Sequence, residues 1–137
     1  MDLPTIPQYD MREACIERAA AHYRAPPDII RAVIRTEGGR PGQIRRNTNG
    51  SYDMGTMQIN SVHLPELSKY GITREMLVNN DCLNIHIGTY YLQKHIIAAP
   101  HFWHGVGNYH SVTPTKNVSY QYRVWNNLNA LRKERIQ

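Results

Sequence analysis

The run Asn47-Thr48-Asn49-Gly50-Ser51 constrains this chain more than any other stretch, because consecutive turn formers of this kind cannot continue a helix. Asn-Gly is the strongest short hairpin signal, since the favoured tight turn needs positive φ at both central positions. A small antiparallel ribbon is therefore expected within about 40–60, running into Met57-Gln58-Ile59-Asn60. The rest of the chain has helical periodicity. The expected class is α+β, predominantly helical, with the hairpin inserted after the second helix.

Upstream, Met11, Cys15, Ala19 and Tyr23 recur at helical spacing between charged residues, which predicts a first helix from Tyr9 to Tyr23. Residues 1–8, with Pro4 and Pro7, read as an extended lead-in, leaving 9–137 as a single domain. Pro26-Pro27 stops the first helix. Pro27 suits the first turn of the next one, where its fixed φ fits and its missing N–H would lack a partner anyway. Ile29, Ile30, Val33 and Ile34 give that helix an apolar face, and Gly38-Gly39 ends it. Short helices are expected near 62–69 and, capped by Thr73, up to Val78. Asn79-Asn80-Asp81 caps a longer one with Ile85, Thr89, Leu92 and Ile96 on one face. Phe102 to Tyr109 reads as a further short helix. The last helix follows Pro114, with an expected apolar stripe of Val118, Tyr122, Trp125 and Leu128.

A chain of 137 residues buries one ordinary core, and 41% hydrophobic residues exclude a disordered class. No run is long and apolar enough to span a membrane. A formal charge of +5 and a pI near 9.4 point to an anionic partner: nucleic acid, anionic lipid or acidic cell-wall polymer. Zinc-ligand cysteines, an aromatic ribonucleoprotein motif and a Gly-rich phosphate loop are all missing, so no nucleic acid is expected. Arg45 and Arg46, beside the turn run, are better placed to matter than Arg132, Lys133 and Arg135, which read as a solvated helix end relieved by Glu134. Met1-Asp2-Leu3-Pro4 lacks the basic and apolar regions of a secretory signal, which predicts either a cytoplasmic protein or a mature chain with an added start methionine.

Cys15 and Cys82 belong to no CxxC or Cys/His cluster, which argues against metal and thioredoxin-like roles. Two readings stay open: a pair of buried thiols, or a disulfide contributing on the order of 4 kcal/mol by chain entropy and indicating an oxidising compartment. The seven histidines form no HExxH-type pair, and neither metal nor cofactor is expected.

Glu37 is the candidate for chemistry. It falls in the last turn of an apolar helix, just before two glycines. Desolvation and the negative end of the helix dipole both raise a carboxyl pKa there. A carboxylic acid that stays protonated near neutral pH can donate to a glycosidic oxygen. The glycines, lacking side chains, leave room for a polymer.

The run 47–61, Asn47-Thr48-Asn49-Gly50-Ser51-Tyr52-Asp53-Met54-Gly55-Thr56-Met57-Gln58-Ile59-Asn60-Ser61, resembles the β-hairpin of animal (C-type) lysozymes. Following a helix that ends in glutamate, it also resembles the short bacterial lytic transglycosylases attached to secretion, conjugation and pilus systems. Asp81-Cys82-Leu83-Asn84-Ile85 with Gly88 resembles that family's start of the long helix, and Gly105-Val106-Gly107-Asn108-Tyr109 its late tyrosine motif. The resemblance covers roughly 11–126.

It implies a lysozyme-like fold with Glu37 as catalytic acid and Asp53 as the second carboxylate, supporting positive charge at the anomeric carbon. It implies that Gly55, Met57, Gln58 and Asn60 belong to the groove motif, and that Tyr109 approaches the catalytic glutamate. It further implies that Cys15 and Cys82 are the lone cysteine pair of the bacterial subgroup. The chain departs from the family pattern in three places: Thr56 stands in place of leucine, Gly38 in place of serine, and the run Asn108-Tyr109-His110-Ser111-Val112 in place of Ala-Tyr-Asn-Ala-Gly.

The function so implied is lytic cleavage of the MurNAc–GlcNAc β-1,4 bond of peptidoglycan with 1,6-anhydroMurNAc as product. The enzyme would be a monomer, periplasmic or otherwise exported, acting on glycan strands beside components of a secretion, conjugation or pilus machine. A lysozyme-type hydrolase (muramidase), with Asp53 as its second carboxylate, is the first alternative. A non-catalytic peptidoglycan-binding assembly protein is the second, and a basic nucleic-acid binder has only the charge in its favour.

Overall fold

The computed structural model describes residues 8–136, with side chains from residue 11 onward. Residues 1–7 of the expected lead-in lie outside the described residues, and Gln8 already belongs to the first helix. The helices are α1 (Gln8–Tyr23), α2 (Pro27–Glu37), α3 (Leu64–Ser68), α4 (Arg74–Asn79), α5 (Asp81–Ala98), α6 (Phe102–His110) and α7 (Pro114–Ile136). Between α2 and α3 lie β1 (Ile44–Arg46), β2 (Tyr52–Met54) and β3 (Ile59–Asn60), an antiparallel sheet in that order. The class is mainly helical α+β, as expected.

Two apolar clusters hold these elements. The larger one joins α1, α2, α5, α6 and α7 through Ile16, Ile30, Val33, Ile85, Leu92, Val106, Val124 and Leu128, all buried. The smaller one seats the sheet on α4 and α5 through Met54, Ile59, Leu77, Ile87 and Tyr91. Burying such side chains contributes roughly 1.5–3 kcal/mol each against an exposed reference. Cys15 and Cys82 are bonded, with Cα atoms 5.4 Å apart, tying α1 to the first turn of α5. Beside them Arg12 pairs with Asp81 at 2.8 Å, and the Thr56 hydroxyl donates to the other Asp81 oxygen. Thr56 is fully buried yet satisfied, which explains how a polar residue occupies that position.

The last helix differs from expectation. Val118, Tyr122 and Trp125 are exposed, and the buried face is Asn117, Tyr120, Val124 and Leu128. Both stripes have helical spacing. The buried one includes Asn117, whose amide donates to the Asn108 side chain and to the His104 and Ser111 carbonyls, so a polar residue carries one end of the core face. The helix end is also not simply solvated: Glu134 takes a two-pronged pair from Arg35, and Arg135 pairs with Asp28, fastening α7 along α2.

Candidate active site

The helix that carries Glu37 ends as the sequence indicates. Gly38 adopts φ 67°, and its N–H closes on the Ile34 carbonyl at 3.1 Å. This places the Glu37 carboxyl at the wall of a cleft of about 1020 Å³, at the upper end of the roughly 300–1,000 Å³ usual for ligand sites. Gly38 ends the helix as expected and borders open space, whereas Gly39 does different work from that expected. A side chain on Gly39 would run into the Gly55 carbonyl, so Gly39 lets the hairpin backbone lie against the end of α2 rather than opening the groove.

The hairpin forms the facing wall. Arg46 pairs with Tyr52 across the strands, and the loop between them closes through Asn47 N–H to Ser51 O at 2.9 Å, with Gly50 at φ 88°. Asp53 lies opposite Arg45 on one side and Asn60 on the other. Both its oxygens accept amide hydrogens, Oδ1 from Asn60 at 3.0 Å and Oδ2 from Asn47 at 3.3 Å. The turn that follows is tight. Gly55 has φ 67°, and Gln58, a non-glycine at φ 53°, donates its amide back to the Gly55 carbonyl at 2.8 Å. Such a backbone costs on the order of 1–3 kcal/mol and persists where the surroundings fix it.

The fixing residue is Asn84 on α5. Its amide donates to the Met54 and Leu77 carbonyls, both at 2.9 Å, and its oxygen accepts from Met57 N–H at 2.8 Å. Asn84 stood within a recognised motif, but nothing in the sequence assigned it this task. A buried asparagine with all three partners supplied by backbone is a positional clamp.

Two tyrosines complete the wall around Glu37. Tyr109 donates from its hydroxyl to the Met57 carbonyl at 2.6 Å, linking α6 to the turn. Burial, with Glu37 and Asp53 nearby, pushes its phenol well up, so it remains a donor. Tyr120, which sequence periodicity placed off the core face, is buried and donates to Glu37 Oε2 at 2.6 Å. His110 stacks on the Tyr120 ring, with centroids 4.8 Å apart and planes 10° from parallel, and the Arg123 guanidinium lies 5.2 Å from the centre of the same ring. The signal for Tyr120 was available in the alternative stripe through Val124 and Leu128.

Burial pushes the Glu37 pKa up from 4.5 to about 7; the Tyr120 hydrogen bond opposes this, Asp53 adds to it, and Arg123 and Arg45 oppose it. A tyrosine O–H given to a carboxylate favours the charged form. Tyr120→Phe should therefore move the alkaline limb of the activity–pH profile to higher pH while loosening the acid's orientation and lowering the maximal rate. Activity measured from pH 5 to 9 checks this, and a limb that moves to lower pH contradicts it.

The cleft brings together Glu37, Asp53, Gln58, Asn60 and Tyr109. Gly55 and Met57 do not reach it: both are buried, and they serve through their carbonyls, which accept from Gln58 and Tyr109. The cleft extends past Asn60 to His63, Tyr91 and His95 at one side and to His110 and Lys116 at another.

A wide cleft, a half-buried carboxyl poised near neutrality and a second carboxylate across from it can perform acid-assisted cleavage of a glycosidic bond. The comparisons agree with that chemistry. The transglycosylase SLT domain matches residues 14–128. The chain is similar to protein IpgF of Shigella flexneri, 32% identical over 106 residues, covering 77% of this chain and 70% of that one. It is similar to invasion protein IagB of Salmonella typhimurium (strain SL1344), 29% identical over 123 residues, covering 86% and 77%. The X polypeptide of Escherichia coli is 36% identical over 98 residues, 71% of this chain and 58% of that protein. The family match spans residues 14–128, from α1 to α7, a stretch that holds the helix of Glu37, the hairpin and Tyr109, and on it the chain belongs to the transglycosylase SLT family.

Proposed function

We propose that the protein is a peptidoglycan lytic transglycosylase that cleaves the MurNAc–GlcNAc β-1,4 bond and leaves a 1,6-anhydroMurNAc end. The observation that carries this reading is the Glu37 carboxyl, raised by burial to a pKa of about 7 and oriented by Tyr120 in an open cleft. Glu37 gives its proton to the glycosidic oxygen as the bond to the anomeric carbon breaks. The Asp53 carboxylate opposes the positive charge that develops there. Glu37, now ionised, takes the proton of the 6-hydroxyl of the same MurNAc as that oxygen closes on the anomeric carbon. The acid is regenerated and no water is consumed.

Asp53 is what would favour a muramidase, since a retaining hydrolase needs a second carboxylate. Its two oxygens are each engaged by an amide, which suits a fixed electrostatic partner better than a nucleophile that must form a bond. Asp53→Asn should accordingly give a partial defect, smaller than that of Glu37→Gln, with anhydro ends still formed. Rates and products on purified sacculi test this. A loss equal to that of Glu37→Gln, with reducing ends in the wild type, would return the assignment to the muramidase.

The Cys15–Cys82 bond supports an exported enzyme, since such bonds persist in oxidising compartments. An invasion protein among its relatives supports a role in opening the wall locally for a secretion, conjugation or pilus apparatus.

A further inference from the structure

His110 is the last residue of α6, and its imidazole stacks on the Tyr120 ring with centroids 4.8 Å apart and planes 10° from parallel. His110 lines the cleft and Tyr120 does not, so the imidazole covers the phenol ring from the cleft side. Tyr120, itself buried, donates its hydroxyl to Glu37 Oε2 at 2.6 Å. A shift of the Tyr120 ring would therefore move the donor that orients the acid. The exposed imidazole can exchange a proton with solvent, which the buried phenol beneath it cannot do near neutrality.

Charge decides which form of the ring works. The cleft wall around His110 carries Lys116 and Arg123 from α7, Arg45 from β1, Asp53 from β2 and Glu37 from α2. A proton on His110 adds a further cation beside Lys116 and Arg123. It also partly cancels Asp53, whose negative charge supports the anomeric carbon. The transition state is positive at that carbon, so an added cation opposes it. Resting on the reading of the site as one that cleaves a glycosidic bond, we infer that His110 is a positioning residue that works only as the neutral ring: stacked on Tyr120 it keeps that hydroxyl on Glu37, and a proton taken by it slows cleavage. Partial burial and Arg123 push the imidazole pKa below the ordinary 6.5, Asp53 opposes them, and Lys116 adds to them. The C-terminal end of α6 acts on the side of Asp53. Cleavage is then confined to a window, closed on the alkaline side as Glu37 loses its proton near 7 and on the acid side as His110 gains one.

The test follows cleavage of soluble peptidoglycan strands from about pH 4 to 9 in the wild type, His110→Phe and His110→Ala. In the wild type, kcat/KM should fall on the acid side with a midpoint below 6.5. A proton NMR titration of the His110 ring, identified by its loss in His110→Phe, should give the same midpoint, because kcat/KM reports the free enzyme. His110→Phe keeps a ring to stack and cannot take a proton. Its acid limb should move to lower pH or vanish, with kcat near neutrality within about threefold of the wild type. His110→Ala loses the ring, and its kcat should fall by about threefold to tenfold, the fold-change of a stacked aromatic pair, with KM within about twofold. A residue that only supports the fold would lower the unfolding midpoint and leave the acid limb in place. If His110→Ala does not fold, His110→Phe carries the test on the acid limb alone. An acid limb unchanged in His110→Phe, or an unaltered kcat in folded His110→Ala, overturns the inference while leaving Glu37 as the acid. A wild type that cleaves at no pH overturns the reading of the site and the inference with it.

Discussion

Glu37→Gln should lower cleavage of purified peptidoglycan by at least about a hundredfold, the loss typical of a missing general acid. The substitution keeps the shape and removes the proton. The Tyr120 hydroxyl, 2.6 Å from Oε2 in the wild type, can still donate to the amide oxygen, so the tyrosine is not left unpaired and the fold should survive. The wild type should also lose activity as pH rises through about 7, because burial raises the Glu37 pKa to that value and only the protonated form can donate. That alkaline limb should vanish from whatever residual rate Glu37→Gln retains. A folded variant with near-normal activity would remove Glu37 from the mechanism.

The second large effect is on stability. Cys15 and Cys82, 67 residues apart in sequence, join α1 to the start of α5. Replacing both with serine should cost about 2–5 kcal/mol, read as a lower unfolding midpoint in urea, because the unfolded chain regains the freedom of a long loop. The cost should fall on the whole fold, since the Glu37–Tyr120 and Tyr109–Met57 bonds lie outside that junction. Protein that remains folded should cleave normally. An unchanged midpoint after reduction would contradict this account of the bond.

The local frame of the site was legible because its signals are local. A proline pair starts α2, two glycines end it at Glu37, and an Asn-Gly run turns the chain back to bring Asp53 across the sheet. What the sequence withheld depends on which face of a helix is buried. Tyr120 and Tyr122 both lie on apolar stripes, and only packing of α7 against α2 and α6 decides that Tyr120 points inward to Glu37. Asn84 was similarly hidden: its three bonds go to Met54, Met57 and Leu77, all brought near it by tertiary packing. Gly39 was misread for the same reason, since the close approach that requires a glycine comes from the distant Gly55 backbone. The place of His110 is likewise set by tertiary packing, which stacks its ring on Tyr120.

The central claim is that Glu37 directs the substrate's own 6-hydroxyl, rather than water, to the anomeric carbon. Mass spectrometry of the muropeptides released from purified sacculi by the wild type measures this directly, because an anhydro end is lighter than a reducing end by one water. The account predicts that the newly formed ends carry 1,6-anhydroMurNAc. Release of reducing ends alone would contradict it and make the enzyme a hydrolase of the lysozyme type.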